Sequence, residues 1–152
     1  MSQSILERIQ ADLAGAMKAR DNDTLSTLRM LKAAILEAKT RKPKEAAFTN
    51  DEEVEVLQRY VKKRRETIEE LRRVGRTETV AREEQEIAVT QRYLPPTLSE
   101  DDLKALIREA ITKTGAATAK DTGKVIGAVM SQVKGRAEGG TVSRLVREAL
   151  GA

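Results

Sequence analysis

The sequence predicts an all-α protein, and three observations carry that expectation. Aromatic residues make up 2% of the chain: Phe48, Tyr60 and Tyr93. The core therefore falls to Leu, Ile, Val, Ala and Met, a set that suits packed helices better than a sandwich or barrel. Helix-start and helix-stop residues recur along nearly the whole length. No segment alternates apolar and polar residues as a half-buried strand would.

The helices follow in order. Ser4 with Glu7 forms a capping box, in which hydroxyl and carboxylate satisfy each other's orphan amides. Behind it Ile5, Ile9, Leu13 and Met17 fall four apart, with Leu6 beside them, and mark one apolar face. Asp21, Asn22 and Asp23 break that helix and start the next, where Leu25, Leu28, Leu31, Ile35 and Ala38 step by three and four. The short loop and matching stripes imply an antiparallel helical hairpin. Lys39 to Ala47 is basic, contains Pro43 and lacks periodicity, so it reads as a loop.

Thr49 and Glu52 make a second capping box before a long helix carrying Val54, Leu57, Val61, Ile68 and Leu71. Arg64 occupies the skipped step of that stripe, and Gly75 is placed to end the helix in a left-handed conformation. Thr77 or Thr79 caps a fourth helix with Val80, Ile87, Ala88 and Leu94. Pro95-Pro96 stops it, because each proline removes a donor and restricts its predecessor.

The proline pair is the clearest boundary. Residues 1–94 are expected to form a four-helix bundle-like domain, and residues 97–152 a three-helix tail of 56 residues, near the lower limit for independent stability. In the tail, Ser99 with Asp102 opens a helix carrying Leu103, Leu106, Ile107, Ala110 and Ile111, closed by Gly115. Asp121 or Thr122 opens the next, with Val125, Ile126, Val129, Met130 and Val133, closed by Gly135. Gly139-Gly140-Thr141 leads into the last, with Val142, Leu145, Val146 and Leu150.

Missing residues exclude much chemistry. Without Cys there are no disulfides, thiolate nucleophiles, zinc ribbons or iron–sulfur clusters. Without His the commonest general base and the usual catalytic zinc ligand are gone. Glu83, Glu84 and Glu86 read as a solvated helix face, and no glycine pattern matches a phosphate loop. No catalytic residue, metal or cofactor is expected. No apolar run approaches the roughly 18 residues of a membrane helix, and no signal peptide is visible, so a soluble cytoplasmic protein with no membrane partner is expected.

Net charge is +4, unevenly spread. Residues 59–76 hold eight cations against three carboxylates, and residues 113–147 seven against two, a net of +5 each. Two basic segments in a nearly balanced chain point to a polyanionic partner. The second segment is the more informative. Gly123 and Gly127 lie four apart on one helix, a tolerated cost where a neighbouring helix or a ligand backbone must come close. The turn from Lys134 to Gly140 places two cations before a helix start at Thr141, where free amides and the helix dipole favour anions. Lys124, Lys134, Arg136, Arg144 and Arg147 are expected around that point, with phosphate as the guest. The other reading is a helix–turn–helix connection with solubilising charges. The tail has no aromatic residue, so any nucleic-acid contact there would be to backbone and shape.

The segment GKVIGAVMSQVKGRAEGGTVSRLVREAL, residues 123–150, resembles the tail shared by YqeY-like proteins and the GatB subunit of tRNA-dependent amidotransferases. Gly123, Lys124, Gly127, Met130, Gly135, Arg136, Ala137, Gly139, Val142, Val146 and Arg147 fit the family pattern, and Glu138 stands where Asp is usual. EIAVTQRYLPPTLSEDDL, from Glu86 to Leu103, and LRMLKAAILEAK also resemble YqeY segments. The resemblance implies a helical bundle followed by a three-helix tail that helps hold tRNA. It also brings the label of a carbon–nitrogen ligase with glutamine as amido-N-donor, although nothing here resembles the kinase-like cradle of GatB or its serine–lysine amidase partner.

The expectation is thus a non-catalytic protein of translation that binds tRNA or another structured RNA through Lys124, Lys134, Gly135, Arg136, Gly139, Arg144 and Arg147. The alternatives are a protein–protein adaptor for an aminoacyl-tRNA synthetase or amidotransferase subunit, and an amidotransferase-type enzyme acting alone.

Overall fold

Local capping chemistry sets the helix ends. The computed structural model describes residues 3–151 of the 152. Among the described residues it is all-helical, with no strand. The α-helices are α1 (Ile5–Ala19), α2 (Asn22–Thr40), α3 (Asn50–Arg73), α4 (Thr77–Gln91), α5 (Glu100–Thr114), α6 (Thr122–Val133) and α7 (Gly139–Ala149), and Ala119–Asp121 forms a 3-10 turn. Both capping boxes are made: the Glu7 amide donates to Ser4 Oγ at 3.1 Å, and the Glu52 amide to Thr49 Oγ1 at 3.2 Å. The Ser99 hydroxyl accepts the Asp102 amide at 3.1 Å. Gly75 and Gly115 turn the chain at φ of 74° and 69°, a region open to glycine at no steric cost.

Two compact units result, Met1–Leu94 and Pro95–Ala152. In the first, α1 packs on α2 and α3 on α4, and α2 touches both α3 and α4. Ile9, Leu28, Leu31, Ile35 and Leu57 are its fully buried centre. At about 1.5 Å per residue, the 24 residues of α3 reach roughly 36 Å, well beyond the 15 residues of α1 or α4. Val61, Ile68, Val80 and Ile87 form a separate small core between α3 and α4. In the second unit each of α5, α6 and α7 packs on the other two. Leu103, Ile107, Val125, Val129, Val133 and Val142 are buried there, and Ala137 inserts from the α6–α7 turn.

Several expectations need correction. Met17 is 59% exposed while its neighbour Ala16 is buried, and Ala88 is exposed while Val89 is buried. In each case the apolar face is one step out of phase, because adjacent residues at a stripe edge differ by only 100° around the helix. The threonines do not cap α4: Arg76 holds the cap position, no side chain bonds there, and Thr77 is already helical. Left-handed Lys134, ahead of Gly135, closes α6. Helix α7 starts at Gly139, two residues before Thr141. The loop read from Lys39 begins after Thr40.

The acidic run of α4 is not a solvated face. Glu83 and Glu86 turn inward toward Arg64, 3.4 and 3.7 Å from its Nη1, with side-chain exposures of 14%, 13% and 21% respectively. Glu84 alone of the three points outward, to Arg72.

Candidate nucleic-acid interface

The α6–α7 connection reverses the chain by two successive left-handed residues, Lys134 at φ 35° and Gly135 at φ 85°. The Lys134 amide donates to the Met130 carbonyl at 3.4 Å, and the Arg136 amide to the Val133 carbonyl at 2.9 Å. Buried Ala137 pins the turn into the core, and Glu138 enters α7 in an extended conformation. The consequence is that Lys134 and Arg136 are both exposed at the corner.

Helix α7 makes its first internal bond from the Val142 amide to the Glu138 carbonyl, 3.1 Å. The amides of Gly139, Gly140 and Thr141 precede that ladder and carry the positive end of the helix dipole. A Cβ on Gly139 would lie 4.0 Å from Met130 Cε, and one on Gly140 would meet nothing within 4 Å. Internal packing therefore does not demand either glycine. Both glycines are exposed.

The expected cations are not all at this corner. Lys134, Gly135, Arg136 and Gly139 are together. Lys124 lies ten residues before Lys134, about 15 Å away along α6, and its Nζ donates to the Thr114 carbonyl at 3.3 Å. Arg144 is bracketed by carboxylates: it bonds Glu148 at 3.1 Å and also Glu100, and these two raise its pKa further. Arg147 is exposed on α7 without an ion-pair partner among the described residues. Gly123 and Gly127 are exposed, and a Cβ on either would meet nothing within 4 Å, so no neighbouring helix of this unit uses them.

The basic stretch 59–76 is different in kind. Arg64 and Arg72 are matched by α4 carboxylates, and Glu66, Glu69 and Glu70 interleave with the remaining cations. The Arg64 guanidinium also lies over the Tyr60 ring, 5.0 Å from its centroid. Burial, then the nearby Glu83, push the Glu86 carboxyl above its usual range. This inter-helix cross-link went unread in the sequence. Its signal was Arg64 at a core step of α3 together with glutamates three apart on α4. Among the described residues no cluster of acidic side chains is arranged to hold a metal ion, and no helix is long and apolar enough to cross a membrane.

The chain matches the family described as Yqey-like protein over residues 6–150. It is 35% identical over 153 aligned positions to "Altered inheritance of mitochondria protein 41, mitochondrial" of Pyrenophora tritici-repentis, covering 97% of this chain and 82% of that relative. It is 33% identical over 88 positions to an uncharacterized protein of Schizosaccharomyces pombe, covering 57% of this chain and 69% of that protein.

Proposed function

The chain belongs to the YqeY-like family, and from that footing we propose that it is a non-catalytic accessory protein that binds structured RNA, tRNA foremost. The observation that carries the reading is the corner from Lys134 to Gly140. Two exposed cations stand beside a helix start made by two exposed glycines. Phosphate oxygens suit both features, since they accept from backbone amides and from guanidinium or ammonium donors alike. Arg147 extends the positive field, Lys124 adds less because it lies about 15 Å from the corner along α6, and Arg144 adds less because two carboxylates neutralise it. With no aromatic in the unit, contacts go to backbone and not to stacked bases.

Filter-binding titration of the full chain with bulk tRNA at several salt concentrations tests this. Affinity should fall linearly on a log–log plot against salt, and each phosphate contact removed should reduce the slope by about one. Lys134→Glu with Arg136→Glu should weaken binding without loss of helicity. Unmeasurable affinity at low salt rejects the reading. The proposed setting is the cytoplasm and translation; fractionation of cells distinguishes this from a mitochondrial location, the word that one relative carries in its name.

A second reading is favoured by the open strip of Gly123 and Gly127, which offers a partner helix close approach. In it the chain is an adaptor for an aminoacyl-tRNA synthetase or amidotransferase subunit. A pull-down of that partner that survives nuclease treatment would select it over RNA binding.

A further inference from the structure

We propose that Arg136 is a positioning residue: it ties the segment after the proline pair to the anion-facing turn, and the guanidinium held in this way presents its two terminal nitrogens to a phosphate. The second half of this statement rests on the RNA-binding reading above; the first does not.

The clasp has two bonds. The Leu98 amide donates to the Arg136 carbonyl at 2.7 Å, and Arg136 Nε donates to the Pro96 carbonyl at 3.3 Å. One residue thus engages two backbone groups of the second unit's entry segment, the second of them 40 positions away. Pro96 has no amide, so its carbonyl is the only backbone polar group it can use. Leu98 packs against the core of the second unit, and Ser99 next to it caps α5. The clasp therefore links the start of α5 to the α6–α7 corner.

A guanidinium carries five N–H donors in one plane. The Nε donor is spent on Pro96, and among the described residues the terminal nitrogens bond to no other group. Their end-on fork matches two oxygens of one phosphate. Because Nε is already held, less side-chain freedom remains to be lost on binding. A lysine at this position has one nitrogen and would have to choose between Pro96 and the phosphate.

Coupling follows from this shared group. A phosphate seated on Arg136 stabilises the clasp, so the Leu98 amide should report occupancy even though Leu98 itself touches no RNA. The experiment is hydrogen exchange at the Leu98 amide of the full chain, comparing wild type, Arg136→Lys and Arg136→Ala, with and without bulk tRNA. Without RNA, Arg136→Ala should exchange faster at Leu98 while Leu103 and Ile107 keep wild-type protection, and Arg136→Lys, whose one nitrogen can still serve Pro96, should lie between Arg136→Ala and wild type. Equal rates in wild type and Arg136→Ala overturn the clasp. With RNA, Leu98 should slow further in wild type and stay unchanged in Arg136→Lys. Affinity for tRNA should drop about tenfold in Arg136→Lys, the worth of one charge-assisted hydrogen bond, and further in Arg136→Ala, which also removes the charge. If Arg136→Lys binds like wild type, the fork is overturned. Where tRNA does not bind at all, the RNA reading fails and the first comparison still decides the clasp. Long-chain polyphosphate then replaces tRNA, and no slowing at Leu98 with that polymer overturns the phosphate half.

Discussion

The carboxylate of Glu53, buried on α3, accepts the backbone amide of Leu6 at the start of α1, 2.7 Å away and 47 residues distant in sequence. A tertiary neighbour thus satisfies one of the orphan donors of α1, beside the local box of Ser4 and Glu7. Negative charge at a helix N-terminus is also favoured by the dipole. Glu53→Ala removes the acceptor and leaves the Leu6 amide unpaired in a half-buried place. The expected loss is about 1–3 kcal/mol, read as a lower urea midpoint. Tyr60 and Tyr93 both lie in the first unit, so tyrosine fluorescence follows that unit's unfolding. Glu53→Gln keeps an oxygen acceptor and should lose less.

Glu86 introduces a pH dependence of known sign. Burial, then Glu83, raise its folded pKa above the unfolded value of 4.5. The native state therefore holds this proton more tightly, and the associated stability is present at acid pH and lost as pH rises through the folded value. Glu86→Gln mimics the protonated form. Its stability advantage over wild type should grow as pH rises above the unfolded value of 4.5 and level off once pH exceeds the folded value. The depressed carboxyls Asp21, Glu52 and Asp121 act in the opposite sense, but they occur in both proteins and cancel in the difference. A difference that does not vary with pH would refute the assignment.

Neither tyrosine should ionise near its ordinary pH of 10 while the protein is folded. Burial pushes Tyr60 up to about 12, with Glu86 adding to the shift. Burial and the hydrogen bond to Asp12 push Tyr93 further still. The stability this contributes is complete below pH 10 and is lost as pH climbs through the folded values. Phenolate absorbance should consequently rise together with alkaline unfolding. A separate step near pH 10 in the folded chain would contradict the burial of both rings.

Lys134 adopts φ 35° without being glycine, a conformation that costs an ordinary residue about 1–2 kcal/mol. Lys134→Gly should stabilise the second unit by about 1 kcal/mol, measured by hydrogen exchange at Val129 and Val142. The same change should weaken tRNA binding. Arg20→Gly, relieving φ 54° in the first unit, is the control that stabilises without altering affinity.

The two arginines of α7 should behave differently toward RNA. Arg144 must leave Glu100 and Glu148 before it can serve a phosphate, whereas Arg147 has no such tie among the described residues. In filter binding, Arg147→Ala should reduce tRNA affinity more than Arg144→Ala does. The reverse order would show that Arg144 exchanges its partners freely.

The Ser4, Thr49 and Ser99 caps and the left-handed turns at Gly75 and Gly115 were legible in the chain because each is made by residues within about four positions of one another. The corner of Lys134, Gly135 and Arg136 was legible for the same reason. The fourth helix, read as running to the prolines, ends earlier, at Gln91. Two kinds of information were not local. Which of two adjacent residues at a stripe edge is buried, Ala16 or Met17, Val89 or Ala88, depends on how neighbouring helices cross. Likewise, only packing brings Glu83 and Glu86 to Arg64, Glu100 to Arg144, Glu53 to Leu6, and Pro96 to Arg136. Helix existence is a sum of short-range bonds that the order of residues spells out, whereas a charge acquires its partner from segments that meet only once the apolar faces are buried.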